Sequence, residues 1–121
     1  MTFEVVALDH VQLAMPPGRE ADAEAFYCGM LGFTRVPKPE KLAVRGGCWF
    51  EHGAVKLHLG AEKDFKAAKK AHPALVIRRL DALLVKLEAA KVPMRPDDEI
   101  PGVTRVHIED PFGNRIELID G

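Results

Sequence analysis

Two halves of this sequence present the same features in the same order, and this internal repeat restricts the fold more than any other feature does. Residues 10–15 read HVQLAM and residues 72–77 read HPALVI, so both halves open on His-x-x-Leu-x-apolar. The halves close on residues 56–59 (KLHL) and 115–118 (RIEL). Each of these segments has, in order, a basic residue, an aliphatic residue, a potential metal ligand and a leucine. The repeat predicts two copies of one supersecondary unit.

Each half contains one helix pattern, followed by short strands. In the first half, early carboxylates and an apolar face predict a helix over residues 19–30. In the second half, Asp81 is the predicted N-cap of a helix that ends before Pro93. Between the halves, residues 64–71 are predicted to form a turn or two of helix. Glycine and proline pairs separate the strands, so each half reads β-α-β-β-β.

A unit of this kind covers only one face of its sheet with its helix, so two units can enclose a hollow between the other faces. Strand alternation puts His10 on the face opposite Leu13, and the same count directs His72 and Glu117 away from their apolar neighbours. We predict an α+β fold in which two tandem βαβββ modules form a curved mixed sheet around a cavity. The whole chain, 1–121, is one domain, with module one at about 1–60, a linker at about 61–71 and module two at about 72–121.

Composition narrows the classes of partner. Among 121 residues, 17 basic side chains face 18 acidic ones, which argues against a nucleic-acid binder and leaves a small molecule as the expected partner. No apolar run approaches the roughly 20 residues that a membrane span needs. The first residues show no secretory signal, so we expect a cytoplasmic protein, and in that compartment Cys28 and Cys48 are expected to remain thiols.

Four motifs give the sequence a family resemblance. They are DHVQL at 9–13, FYCGMLGF at 26–33, HPAL at 72–75 and DPFGNRIEL at 110–118. In this order, and over nearly the whole chain, they resemble the glyoxalase, bleomycin-resistance and extradiol-dioxygenase superfamily, also called the vicinal oxygen chelate fold.

The resemblance implies a divalent metal held by residues of the first and last strands of each module. Position by position, the metal ligands implied are His10, His58, His72 and Glu117. Imidazoles with one carboxylate suit Fe(II), Mn, Co, Ni or Zn and leave positions for substrate. The expected chemistry is Lewis-acid activation of a small substrate that chelates the metal through two vicinal oxygens.

One position departs from the glyoxalase-type lyases of the family, which usually place a carboxylate or amide oxygen where this chain has His58. Without His58, the set His10, His72 and Glu117 resembles equally the iron site of small dioxygenases and the manganese site of thiol-transferring fosfomycin-resistance enzymes. His58 is then either a fourth ligand or a pocket residue that hydrogen-bonds the substrate.

Further candidates surround this set. If Asp110 pairs with Asn114, His107 lies directly across from Glu117, which makes Glu117 and His107 the candidate catalytic residues. Three residues are candidates for substrate binding: Gln12, Trp49 and Arg115. Arg115 shares the face of Glu117 and could instead form an ion pair with it, in competition with a metal.

Two functions follow as hypotheses. The first is a glyoxalase-like, metal-dependent enzyme of lyase, isomerase or dioxygenase type, acting on a small substrate with vicinal oxygens. The alternative is a metal-free protein that binds and sequesters a small molecule, as bleomycin-resistance members do. Open sheet edges predict a homodimer in either case. Whether the modules pair within one chain or between chains is left open by the sequence.

Overall fold

The structure, a computed structural model, describes all residues 1–121. Its eight strands are Val11–Met15 (β1), Thr34–Val36 (β2), Cys48–His52 (β3), Val55–Ala61 (β4), Ala74–Ile77 (β5), Met94–Asp97 (β6), Arg105–Glu109 (β7) and Arg115–Asp120 (β8). Its three helices are Glu20–Tyr27 (α1), Glu40–Ala43 (α2) and Leu80–Ala89 (α3). None of these helices is long and apolar enough to cross a bilayer.

The strands form two four-stranded mixed sheets of identical topology. The first has the order β1-β4-β3-β2 and the second the order β5-β8-β7-β6. In each sheet the first strand pairs in parallel with the last, and the remaining pairs are antiparallel. The predicted α+β fold of two βαβββ modules is confirmed. In both sheets the first strand of the module lies at an edge, so β1 and β5 each keep one row of backbone groups unpaired within their sheets.

Strand alternation separates a core face from an open face in both modules. In β1, Leu13 and Met15 are buried in the core while Gln12 points away from it. In β8, Ile116 and Leu118 belong to the same core, and Glu117 lies between them on the opposite face. Helices pack on the apolar faces, burying Phe26 of α1 among others. The polar faces therefore remain available for a site.

The helices begin and end differently from the prediction. Helix α1 ends at Tyr27, and the chain after it turns through Gly32, whose φ of 81° suits glycine. Helix α3 begins at Leu80, whose N–H donates to Asp120 Oδ1 at 3.2 Å. The predicted cap, Asp81, instead pairs with the Arg79 side chain. A carboxylate from the neighbouring strand β8, 40 positions away in sequence, thus replaces the local cap, which no local pattern could indicate.

Two short segments also differ from the prediction. Residues 64–71, predicted as a turn or two of helix, contain no helix. The short helix α2 lies at Glu40–Ala43, where no helix was predicted. It follows Pro39, whose fixed φ suits the residue before a helical turn, and it is too short for an apolar face to reveal it.

A buried polar network joins the two modules. Asp110, in the loop between β7 and β8, accepts hydrogen bonds from the Tyr27 hydroxyl of α1 at 2.8 Å and from the Asn114 side chain at 3.0 Å. The same Asn114 amide donates to the backbone carbonyl of Ala14 in β1 at 2.8 Å. Burial and the adjacent Asp110 carboxylate raise the pKa of Tyr27 well above its ordinary value. This network fixes the position of one module relative to the other within the chain.

Candidate metal centre

Module two brings three metal-ligating side chains together on its open face. One ligand atom each from His72, His107 and Glu117 lie within 4.8 Å of one another. Glu117 of β8 is directly opposite His107 of β7 in the antiparallel register. His72 precedes β5, the parallel neighbour of β8, and its Nε2 lies 3.0 Å from Glu117 Oε1. Two neighbouring strands and the segment that leads into a third thus contribute one group each.

The hydrogen bonds of His72 place its Nε2 against the carboxylate of Glu117. Its Nδ1 lies 2.9 Å from the backbone carbonyl of Lys70, and a carbonyl oxygen only accepts, so Nδ1 carries a proton. In the neutral imidazole, Nε2 is then an acceptor that faces a carboxylate oxygen. Two acceptors this close need a cation between them, either a second proton on the ring or a metal ion.

Arg105 and Asp97 border the other oxygen of Glu117. Arg105 Nη1 donates to Glu117 Oε2 at 3.4 Å, and its Nη2 lies 2.9 Å from Asp97 Oδ2. All three side chains are largely buried. The hydrogen bond with His72, and next the one from Arg105, hold the pKa of Glu117 below its ordinary value, against the opposing effect of burial. The carboxylate of Glu117 is therefore ionised and has one oxygen toward His72.

Asp97 also orients His107. Its Nε2 lies 2.8 Å from Asp97 Oδ2, and this hydrogen bond lowers the pKa of Asp97. Arg115 Nη2 lies 3.3 Å from Nδ1 and 3.4 Å from Nε2 of His107. Nearly equal distances to both ring nitrogens put this group over the ring face, where guanidinium groups commonly stack. Arg115 forms no ion pair with an acidic side chain, and its Nε and Nη2 contact only His107.

Module one presents a second group of rings on its own open face. His58 of β4 stacks on Trp49 of β3, with ring centroids 4.3 Å apart and planes 7° from parallel, and on its other side His10 stacks at 4.3 Å. His58 is buried, and burial, followed by the effect of His10, lowers its pKa. Its two faces are both covered by rings. His10 is exposed, with its Nδ1 2.9 Å from Asp9.

One histidine of each group borders a common groove, but the two groups do not form one cluster within the chain. The groove has a volume of about 1250 Å³ and is lined mainly by residues 8–14 and 71–79, which include both His10 and His72. Neither His10 nor His58 belongs to the cluster of ligand atoms formed by His72, His107 and Glu117. Gln12 also lines this groove, and its amide lies so close over Gly60 that a Cβ there would approach Nε2 to 2.7 Å.

Arg105 and Asp97 are the neighbours of this site that sequence reasoning missed. Arg115, considered as an ion-pair partner of Glu117, does not form that pair, and Arg105 does. A signal was present, since Arg105 alternates with His107 along β7 and so shares its face. The sequence alone did not indicate how β6 pairs with β7, and this pairing places Asp97 opposite Arg105.

The donors present suit a divalent first-row metal. His72 offers a lone pair, Glu117 offers an ionised oxygen, and both are held by further hydrogen bonds, as metal ligands in proteins usually are. His72 and Glu117 are partly and largely buried, respectively. They supply two ligands, and His72 also lines the groove.

Comparison with known proteins gives one family and several similar folds. The family model described as "Glyoxalase/Bleomycin resistance protein/Dioxygenase superfamily" matches residues 7–118. A glyoxalase family protein from Bacillus anthracis is 41% identical, with a TM-score of 0.95, over 100% of this chain and 99% of that chain. None of the curated proteins matches the sequence.

Two more distant structures share the fold. A variant of the fosfomycin resistance protein FosX from Listeria monocytogenes, in complex with Mn(II) and 1S,2S-dihydroxypropylphosphonic acid, is 14% identical, with a TM-score of 0.80, over 98% of this chain and 94% of that chain. Lactoylglutathione lyase from Agrobacterium tumefaciens is 22% identical, with a TM-score of 0.65, over 92% of each chain.

Proposed function

This chain belongs to the Glyoxalase/Bleomycin resistance protein/Dioxygenase superfamily, and we propose that it is a metal-dependent enzyme of lyase, isomerase or dioxygenase type. Its substrate is a small molecule with two vicinal oxygens. The observation that carries the proposal is the close approach of two metal-ligating atoms, His72 Nε2 and Glu117 Oε1, which lie 3.0 Å apart. FosX, a more distant relative in fold, binds Mn(II) beside a vicinal diol, which makes Mn(II) the appropriate probe.

We place the third ligand, His10, on a second copy of the chain. His10 lines the same groove as His72 yet stays out of its cluster, so the metal centre is incomplete within one chain. Both edge strands that border the groove, β1 and β5, have a free edge. A two-fold dimer that laid β1 of one copy beside β5 of the other would complete two identical sites.

The amino-terminal segment supports this dimer. It precedes β1, forms no regular structure, and leaves Phe3, Val5 and Val6 93%, 89% and 82% exposed. A run of exposed apolar side chains next to a free strand edge is typical of a surface that another chain covers. In the proposed homodimer these side chains pack against the second copy.

The remaining side chains have roles toward the substrate. When bound, the metal would act as a Lewis acid on a substrate carbonyl or hydroxyl. His107 donates a hydrogen bond from Nε2 to Asp97, and its Nδ1 accepts one from Arg115 Nε at 3.4 Å, so that His107 holds Arg115 beside the site. Arg115, stacked over His107 and without an acidic partner, is suited to an anionic group. The second proposed role of Glu117, moving a substrate proton, is open to it only when Oε1 is free.

Residues of module one border the groove on its other side. Gln12, whose amide lies over Gly60, is proposed to hydrogen-bond the substrate. Trp49 and His58 do not line the groove but form a stack with His10, and we assign His58 to this stack in preference to the metal. Stacking on both faces keeps the ring of His58 parallel to that of His10, so its effect on the metal would be to orient His10.

A second candidate function is supported by the groove itself. With a volume of about 1250 Å³ and a mainly apolar lining, it can bury a bulky ligand without any metal. In that case the protein would sequester a small molecule, and His72 would carry a second proton to satisfy Glu117.

Titration of the metal-free protein with Mn(II), followed by the EPR signal of the free ion, separates the two functions. We expect tight uptake of about one Mn(II) per chain, removed by excess EDTA, because each chain contributes one His72 and one Glu117. His72→Ala should abolish this uptake, whereas His52→Ala, which removes an exposed histidine outside the cluster, should leave it intact. A parent protein that takes up no stoichiometric Mn(II) would contradict the enzyme proposal and favour sequestration.

A further inference from the structure

The buried arginine beside Glu117 has no role in the proposed function so far. We propose that Arg105 is a positioning residue, which holds the Glu117 carboxylate so that one oxygen alone faces the metal position. This inference rests on the proposed metal function. It concerns Glu117 Oε2, the oxygen that is turned away from His72.

The geometry divides the two oxygens of Glu117 between two partners. Oε1 lies 3.0 Å from His72 Nε2, and Oε2 lies 3.4 Å from Arg105 Nη1. A carboxylate held at one oxygen by a guanidinium cannot rotate freely about its last bond. It therefore presents a single oxygen to a metal and leaves coordination positions open for a substrate with two oxygens.

Arg105 is itself fixed by its neighbours. Its Nη2 lies 2.9 Å from Asp97 Oδ2, the same oxygen that accepts from His107 at 2.8 Å. Asp97 stands opposite Arg105 in the register of β6 and β7, so the backbone sets this pair. The Arg105 side chain is only 12% exposed, and its fork spans both carboxylates. Asp97 thus anchors both Arg105, which orients Glu117, and His107, which lies opposite Glu117.

One donor of Arg105 remains unused. Its Nε is the one buried side-chain nitrogen or oxygen that lacks a hydrogen-bond partner in the protein. A buried unpaired donor is costly, typically about 1–3 kcal/mol, and such a position is kept where the group has another task. In our proposal that task is to hold Oε2 of Glu117. The position of the arginine is then set by its ion pair with Asp97, although its Nε remains without a hydrogen-bond partner.

The sign of one measured change tests the proposal. A cation near a metal position lowers metal affinity by simple repulsion, so an arginine that only repels the metal would give tighter binding when removed. An arginine that positions a ligand gives weaker binding when removed. For Arg105→Gln we expect the dissociation constant of Mn(II) to rise by about 10 to 100 times, the effect usual for residues that orient metal ligands.

Two further variants keep this test decisive. Arg105→Lys retains the charge but cannot span Asp97 and Glu117 together, so we expect it to remain about tenfold weaker than the parent. Arg95→Gln is the matched control, since it removes the same charge opposite His107 on the same face, from an exposed residue without an ion pair. The thermal midpoints of the metal-free proteins are measured alongside, so that a loss of folding is recognised.

Each result has one meaning. Weaker Mn(II) binding by both Arg105 variants, with Arg95→Gln at or above parent affinity and all proteins folded, supports the proposal. Parent affinity or tighter binding in Arg105→Gln overturns it while leaving the proposed metal function intact. If Arg105→Gln does not fold, parent affinity in Arg105→Lys overturns it equally. A parent protein without Mn(II) uptake removes the proposed function and, with it, the role of Arg105.

Discussion

Glu117→Gln is expected to weaken Mn(II) binding by at least about 100 times, a loss that approaches the one expected for His72→Ala. The amide has the shape of the carboxylate but no charge, so it loses most of its attraction for a cation. It also leaves His72 Nε2 without an ionised partner at 3.0 Å. Isothermal titration calorimetry of the metal-free variant with Mn(II) measures this change.

A matched control for this substitution lies on the neighbouring strand. Glu109 of β7 is exposed, forms an ion pair with Lys69 and is not part of the cluster of ligand atoms. Glu109→Gln removes one negative charge from the same module and should change the dissociation constant by less than about threefold, since exposed charges at this range are screened. An affinity for Mn(II) in Glu117→Gln close to that of the parent would show that Glu117 is not a ligand.

Asp110→Ala should lower the free energy of unfolding by about 3–5 kcal/mol, the largest effect on stability that we expect. The buried Asp110 side chain accepts four hydrogen bonds, from the Tyr27 hydroxyl, the backbone N–H groups of Phe112 and Asn114, and the Asn114 side chain. Alanine leaves these donors buried and unpaired. Urea denaturation followed by tryptophan fluorescence or circular dichroism gives the value.

A graded partner variant shows whether the network is the cause. Tyr27→Phe removes one donor and leaves Asp110 three others, so the expected loss is only about 1 kcal/mol. Tyr27 of module one and Asp110 of module two are hydrogen-bonded to each other. The double variant should therefore lose less stability than the sum of the losses in the single variants. Additive losses would indicate that the two side chains stabilise their modules separately.

The sequence predicted the fold because the fold is encoded locally and twice. Period-two alternation identifies the apolar face of each strand, and the DPFGN turn between β7 and β8 determines which residues stand opposite each other. From that turn alone, His107 could be placed across from Glu117, and the structure has this pair in register. Motifs that combine a turn with alternation are thus read reliably from sequence.

Other features depend on contacts between segments that are distant in sequence. The cap of α3 comes from Asp120, 40 positions away in the chain. Whether Arg105 or Arg115 reaches Glu117 depends on how a long flexible side chain is drawn by Asp97 on β6. Both arginines lie on the face of Glu117, so alternation could not choose between them. The pairing of β6 with β7 in the folded protein decides which arginine reaches Glu117.

The separation of His10 from His72 has a similar origin. Alternation directs both side chains to open faces, but it gives no information on how one sheet stands beside the other. The Asp110 network and the packing around it hold the two modules so that His10 and His72 border one groove without joining one cluster. From this arrangement we infer that the complete site needs a second chain.

Mixing two variants that each bind Mn(II) poorly tests most directly whether the metal site is shared between two chains. His10→Ala and Glu117→Gln are each expected to bind Mn(II) poorly as homodimers. If each site combines His10 of one chain with His72 and Glu117 of the other, a mixed dimer of the two variants contains one site with all three ligands intact. Unfolding and refolding the variants together should therefore restore tight binding of one Mn(II) per mixed dimer, measured by EPR. A refolded mixture that binds no more Mn(II) than the separate variants would contradict a site shared between two chains.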